Sequence, residues 1–181
     1  MNLLHHLPAY HDRFESGEDK VNAVIEIQEG ASAKYEYDEV GEVFRLDRFL
    51  PNGLRFPINY GFVPETLAPD GDAVDILVHS SQPIERGTVV SVRVTGILRM
   101  TDDGETDDKV IAVPHCDSDS ESFLDLSPER IRCLVEFFEI YKRKSLTGSE
   151  VPVTKVDGFR SAKDGLRAIE ESRLRYRADF D

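Results

Sequence analysis

The sequence predicts a mainly-β fold: a small closed or nearly closed barrel with two helices packed on it. Two patterns carry this prediction. The first two-thirds of the chain is a succession of short β-rich runs separated by turns, without a helical crossover between most of them. The last third changes to a helical period. At 181 residues the chain has the length of a single domain, taken as 1–181 with residues 1–20 as an N-terminal extension.

The elements follow in order. Val24–Ile27, Lys34–Tyr37 and Val43–Asp47 are β-rich, the last two joined by the turn-like Asp38-Glu39-Val40-Gly41. Ile76–His79 is another run, Val89–Met100 is long and rich in Val, and Val110–Val113 follows a polar turn. Ser127-Pro128-Glu129 opens a helix with a hydroxyl cap, a proline at the first helical position and an acid in the first turn. Ile131, Leu134, Val135, Phe138 and Tyr141 then make one apolar stripe. A strand is expected at Val151–Val156, and Ser161 with Asp164 starts a second helix that runs to about Arg175.

Charge removes several functions. With 22 Lys or Arg against 35 Asp or Glu the net charge is −13. Binding to nucleic acid or to an anionic membrane needs a basic footprint, so neither is expected. No apolar run approaches ~18 residues, so no membrane span is expected. Residues 1–14, broken by His5, His6, Pro8 and His11, do not read as a secretory segment. Cys116 and Cys133 form neither a disulfide framework nor a zinc pattern, which points to a cytoplasmic chain with reduced thiols.

The acids are not evenly spread. One cluster is Asp70-Gly71-Asp72-Ala73-Val74-Asp75, running straight into the apolar Ile76-Leu77-Val78. The other is Asp102-Asp103-Gly104-Glu105-Thr106-Asp107-Asp108-Lys109, between two strands. Solvated turns are the ordinary fate of such residues. Here, however, Asp75 abuts buried-type residues, and crowded like charges destabilise a fold unless cations neutralise them. Carboxylates at positions 1, 3 and 6 can converge on a hard cation such as Mg²⁺. They are not an EF-hand, because the glycine is second and Ser81 is twelfth. Isolated bases at Lys34, Arg48, Lys109 and Lys142 complete a set suited to metal-assisted phosphoryl chemistry. No Walker or Gly-x-Gly-x-x-Gly loop, His-Glu-x-x-His pair or Gly-x-Ser-x-Gly elbow is present.

These runs, together with Asn59-Tyr60-Gly61-Phe62 and Phe137-Phe138-Glu139-Ile140-Tyr141-Lys142, resemble the family I soluble inorganic pyrophosphatases over about residues 20–177. The resemblance implies a five-stranded OB-like barrel plus two C-terminal-region helices, and Mg²⁺-dependent hydrolysis of pyrophosphate with several ions per subunit. It implies metal ligation by Glu26, Asp70, Asp75, Asp102, Asp103 and Asp107, with Asp72 as general base. Lys34, Arg48, Lys109, Tyr141 and Lys142 match phosphate ligands, Tyr60 a residue that orients the site, and Glu36 an acid on the strand of Lys34. Two other readings share the architecture: a non-catalytic OB-type module binding an oligonucleotide, and a related metal-dependent hydrolase of nucleotides or polyphosphate. The first lacks the basic groove and stacking aromatics it needs.

The chain departs from the family pattern at three places. Phe56 stands where a Tyr is common, which removes a hydroxyl expected near the phosphates. Glu136 and Ile140 replace His residues, and Phe159 replaces a Trp. Cys133, Phe137 and Ile140 make a second apolar stripe on the first helix, which needs a cover. With the resemblance, that stripe predicts a homo-oligomer, commonly a hexamer in bacterial members.

Overall fold

The computed structural model describes residues 1–10, 20–120, 122, 126–142 and 154–180. Among the described residues nine strands and two α-helices follow one another: β1 (Val21–Ile27), β2 (Ala33–Asp38), β3 (Val43–Phe49), β4 (Asn59–Val63), β5 (Val74–Val78), β6 (Val89–Asp102), β7 (Glu105–Thr106), β8 (Lys109–Pro114), α1 (Pro128–Ile140), β9 (Thr154–Ser161) and α2 (Ala162–Phe180). Five strands close a ring in the order β1-β4-β5-β8-β6, with β6 pairing back onto β1. β7 and β9 extend β6, and β2 with β3 form a separate two-stranded sheet. The predicted mainly-β barrel with two helices is the observed architecture.

The ring strands carry apolar residues on both faces, so alternation is weak and they read as continuous runs. β8 is buried at every position. Val110 and Ala112 join the side of the core that includes Ile25, Ile76, Val94 and, from α2, Ile169. Ile111 points the other way, into a core with Leu77, Leu98, Met100 and the α1 residues Leu134, Phe137 and Phe138. Each such large side chain contributes about 1.5–3 kcal/mol when fully buried.

β4 was not expected from periodicity. Its sequence, Asn-Tyr-Gly-Phe-Val, hides a fully buried strand behind an amide and a glycine. Asn59 is buried because its amide is saturated: Oδ1 accepts from the backbone N–H of Glu29 and Ile84, and Nδ2 donates to Val78 O and Ser80 Oγ. β9 continues past the expected end at Val156 to Ser161, and Val151, Pro152 and Val153 lie outside the described residues. α2 continues past Arg175 to Phe180.

Both helix starts behave as their sequences predict. Ser127 Oγ accepts the Arg130 N–H at 3.3 Å ahead of Pro128. Ser161 and Asp164 cap one another reciprocally: Ser161 Oγ accepts the Asp164 N–H, and Asp164 Oδ2 accepts the Ser161 N–H at 3.1 Å. The second stripe of α1 is corrected. Phe137 is buried within its own subunit, against Phe56 and Tyr141, while Cys133 is exposed and Ile140 half-buried. The stripe is therefore not a continuous uncovered face. Among the described residues no helix is long and apolar enough to cross a membrane.

Gly61 sits in β4 opposite Ile25 of β1, where a Cβ would lie 1.9 Å from the Val24 carbonyl oxygen. That obstacle is backbone and cannot rotate away. Gly61→Ala should cost about 2 kcal/mol or more by forcing the strands apart, read as a lower urea midpoint.

Candidate active site

β5 and β8 are paired in parallel, with Ile76 opposite Val110. Each acid cluster runs into the start of one of these strands, with Asp75 second in β5 and Lys109 first in β8. Parallel alignment therefore delivers both clusters to the same end of the barrel, and Asp75 becomes the neighbour of Lys109 although 34 residues separate them.

The Asp70–Asp75 loop is held from beneath. Thr66 Oγ1 donates to Val63 O and accepts the Val74 N–H. Ala68 N–H donates to Asp72 O at 2.7 Å, and Asp70 Oδ1 accepts the Asp72 N–H at 3.1 Å. Gly71 turns with φ +94°, in the left-handed region glycine favours. The loop is tied to α2, because Ser172 O accepts from Leu67 N–H and Arg175 Nε donates to Leu67 O.

A cavity of about 640 Å³ opens above these elements. Its walls bring together Glu26, Asp70, Asp72, Asp75, Asp102 and Asp107 with Lys34, Lys109, Lys142, Tyr60 and Tyr141. Two expected residues are placed differently. Asp103 is an exposed turn residue at φ 48° and does not line the cavity. Arg48 also stands off the wall: it is opposite Lys34 in the β2–β3 hairpin, with its guanidinium on Asp47 at 2.6 Å. Phe56 is buried in the aromatic cluster of Tyr60, Phe137 and Tyr141, behind the cavity and not on its surface.

Glu26 reaches the cavity through a β-bulge. Ile25 pairs with Gly61 and Ile27 with Tyr60, so Glu26 is an extra residue without an opposite partner. Its Oε1 accepts the Tyr37 N–H at 2.7 Å. A second bulge leaves Asp47 unpaired between Leu46 and Arg48, and Lys34 Nζ lies 3.7 Å from its carboxylate while also contacting Glu36.

Electrostatics divide the carboxylates into two kinds. Lys109 is 1 % exposed, and its Nζ lies 2.5 Å from Asp75 and 2.8 Å from Asp107. Burial alone would drive this ammonium down; Asp75, Tyr141 and Asp107 more than offset it and hold Lys109 above its ordinary value. Lys142 bonds Asp102, and Asp107 at 3.2 Å, and is likewise held up against burial by Tyr141 and these acids. Burial opposes ionisation of Asp107, but Lys109 and Lys142 outweigh it and keep the carboxyl below its usual range. Glu26 and Asp72 lack such a balance. Burial, with Asp75 and Glu36 nearby, pushes Glu26 up to about 8 against the Tyr37 N–H and Lys34. Burial and then Asp70, Asp75 and Glu36 raise Asp72, with Lys34 opposing.

Among the described residues no three carboxylates close on one point as they stand; the ammonium groups of Lys109 and Lys142 lie between them. The donor set still fits a hard divalent cation, because every candidate ligand is a carboxylate oxygen and two of the acids are raised by burial and by neighbouring carboxylates, both of which a bound cation would offset. Sequence reasoning missed Thr154, whose Oγ1 donates to Asp102 Oδ1 at 3.1 Å. Only the β6–β9 pairing, Asp102 opposite Thr154, makes them neighbours. It also missed His5, Tyr176 and Phe180 on the cavity rim.

An acid-lined cavity with lysines at the end of a five-stranded barrel suits an enzyme that uses hard divalent cations on an anionic substrate. Residues 23–177 match the family model described as inorganic pyrophosphatase. An inorganic pyrophosphatase of Nostoc sp. is 37% identical over 160 residues, 87% of this chain and 92% of its own. That of Aquifex pyrophilus is 40% identical over 164 residues, covering 88% and 90%. The crystal structure of the inorganic pyrophosphatase from Thermus thermophilus superposes with a TM-score of 0.85 at 38% identity, over 98% of this chain and 99% of the other. The chain belongs to the family I soluble inorganic pyrophosphatases, and is an inorganic diphosphatase with the family's divalent-metal requirement.

Lys109 tests the charge balance directly. Lys109→Met takes the ammonium from Asp75 and leaves Asp107 with Lys142 alone, and should lower stability by about 3 kcal/mol in metal-free buffer. Urea unfolding is the measurement, and added Mg²⁺ should recover part of the loss.

Proposed function

We propose that the chain hydrolyses pyrophosphate to two orthophosphates using several Mg²⁺ ions, with Asp72 as the general base. The observation that carries this reading is the convergence of both acid clusters and three lysines on one cavity. Glu26, Asp70, Asp75, Asp102 and Asp107 would hold the ions, and Asp103 would contribute only after its turn moves inward. Bound Mg²⁺ makes its water more acidic and neutralises phosphate oxygens.

The protein side chains supply the rest. Asp72 takes a proton from the attacking water, and burial, with Asp70 and Asp75 beside it, makes it a better acceptor than an ordinary carboxylate. Lys34, Lys109 and Lys142, with the Tyr141 hydroxyl, bind the phosphates and stabilise charge on the departing group. Arg48 joins them by leaving Asp47. Tyr60, buried beside Asp75 with its proton held well above the ordinary range, remains a neutral donor that orients the site. Lys109 and Lys142 exchange carboxylate partners for phosphate as substrate enters. The same reading makes the chain a self-associating enzyme, a hexamer if it follows the pattern common in bacterial members, and the two unpaired cysteines support a cytoplasmic location.

Orthophosphate release is the test. Pyrophosphate with Mg²⁺ should yield two equivalents of phosphate, nucleoside triphosphates and polyphosphate far less, and excess chelator should abolish turnover. Activity undiminished in chelator would refute the metal mechanism.

Asp72→Asn and Asp75→Asn separate the roles. The first should cut turnover about 10²-fold or more with Mg²⁺ affinity largely kept. The second should weaken Mg²⁺ itself in a calorimetric titration, and equal losses in both would contradict the assignment.

A further inference from the structure

The β2–β3 hairpin carries Lys34, Glu36 and Arg48, yet it is a sheet of its own. Tyr37, next to its turn, ties it to the barrel: the Tyr37 N–H donates to Glu26 and the Tyr37 ring stacks on Phe62 at 5.7 Å. No strand among the described residues pairs with its tip. The first residues of the chain make contact there instead. The Met1 ammonium lies 2.9 Å from Glu42 Oε2, Asn2 Nδ2 donates to Glu39 O, and the Leu3 N–H donates to the Tyr37 hydroxyl.

His5 turns this contact into a bridge. Its Nε2 is 3.0 Å from Glu39 Oε2 on the hairpin turn, and its Nδ1 is 2.6 Å from the Tyr176 hydroxyl on α2. The ring stacks on Tyr176 at 5.7 Å and meets Phe180 at 5.1 Å. A carboxylate only accepts, so in the neutral ring Nε2–H donates to Glu39 and Nδ1 accepts the Tyr176 O–H. The far side of the bridge is also anchored, because α2 holds Leu67 through Ser172 and Arg175, and Leu67 leads into the Asp70–Asp75 loop. One continuous set of contacts thus joins the strand of Lys34 to the loop of the acids, around the rim of the same cavity.

We infer that His5 is a positioning residue: by bracing Glu39 against Tyr176 it fixes the spacing between the phosphate-binding hairpin and the carboxylate loop. The inference rests on the hydrolase reading above, since the spacing matters to a ligand that touches both. A diphosphate bound between Lys34 and the acids needs that distance set before it arrives; otherwise part of its binding energy goes into ordering the hairpin. The brace acts on substrate binding and leaves the reacting groups themselves in place.

The test uses the full chain, with orthophosphate release measured against magnesium pyrophosphate concentration. His5→Ala should raise KM about 3- to 10-fold with kcat within about twofold, the scale of one or two lost hydrogen bonds. Its thermal midpoint should stay within about 3 °C of the wild type. His5→Gln keeps one donor and one acceptor and should restore most of KM. Tyr176→Phe should raise KM, and the His5→Ala/Tyr176→Phe double variant should be no worse than His5→Ala alone. Hydrogen exchange should quicken across residues 33–49 in His5→Ala and stay unchanged in β6. An active wild type with KM unchanged in His5→Ala overturns the inference alone, as does a variant that loses only thermal stability. An inactive wild type overturns the hydrolase reading and the inference with it.

Discussion

One buried ammonium governs this site. Lys109 lies at the start of a strand buried on both faces, and it is stable there because Asp75, near the start of β5, and Asp107, in the loop before β8, both contact it. The interaction is reciprocal. Without the lysine the acids would repel each other at the end of the barrel; without the acids the lysine would lose its charge or leave the core. The parallel β5–β8 pair makes the meeting possible, since antiparallel strands would send the two acidic loops to opposite ends.

From that constraint the rest of the cavity follows as an imbalance of charge. Lys109 and Lys142 satisfy Asp75, Asp102 and Asp107, while Glu26 and Asp72 remain raised by burial and by their acidic neighbours. A site with more anionic oxygens than ammonium groups binds divalent cations readily. On the proposed function its lysines, already ordered on carboxylates, would pass to phosphate oxygens as substrate enters. The aromatic cluster of Phe56, Tyr60, Phe137 and Tyr141 backs this polar wall with rigid apolar packing. α1 therefore belongs to the site as much as to the core.

Much of this was legible in the sequence, and the failures have physical causes. The acid clusters announced themselves because DGDAVD runs into Ile-Leu-Val without an intervening polar turn. Helix starts were readable from Ser127-Pro128 and from the Ser161 and Asp164 pair, whose caps are local hydrogen bonds. β4 was not, because a strand whose Asn59 is saturated by four hydrogen bonds and whose Gly61 makes room for a backbone carbonyl has no hydrophobic period to detect. The second stripe of α1 misled for the opposite reason. Period shows that Phe137 is apolar, not which of two available cores takes it. Arg48 and Asp103 match the family pattern by position, but side-chain direction at a hairpin and a turn depends on partners that no spacing specifies. Thr154 and His5 enter only through pairings over long stretches of chain.

The bulge at Glu26 separates two tasks that a regular strand would fuse. In an unbroken strand each residue faces one side of the sheet or the other, so changing a functional group also disturbs a packed face. Glu26 stands outside that two-way code, with Ile25 and Ile27 keeping the ladder on either side. Evolution can therefore alter the acidity, reach or charge of this position while the neighbouring pairs maintain the barrel. An extra residue that looks like an irregularity in the sheet gives the chemistry a degree of freedom independent of folding.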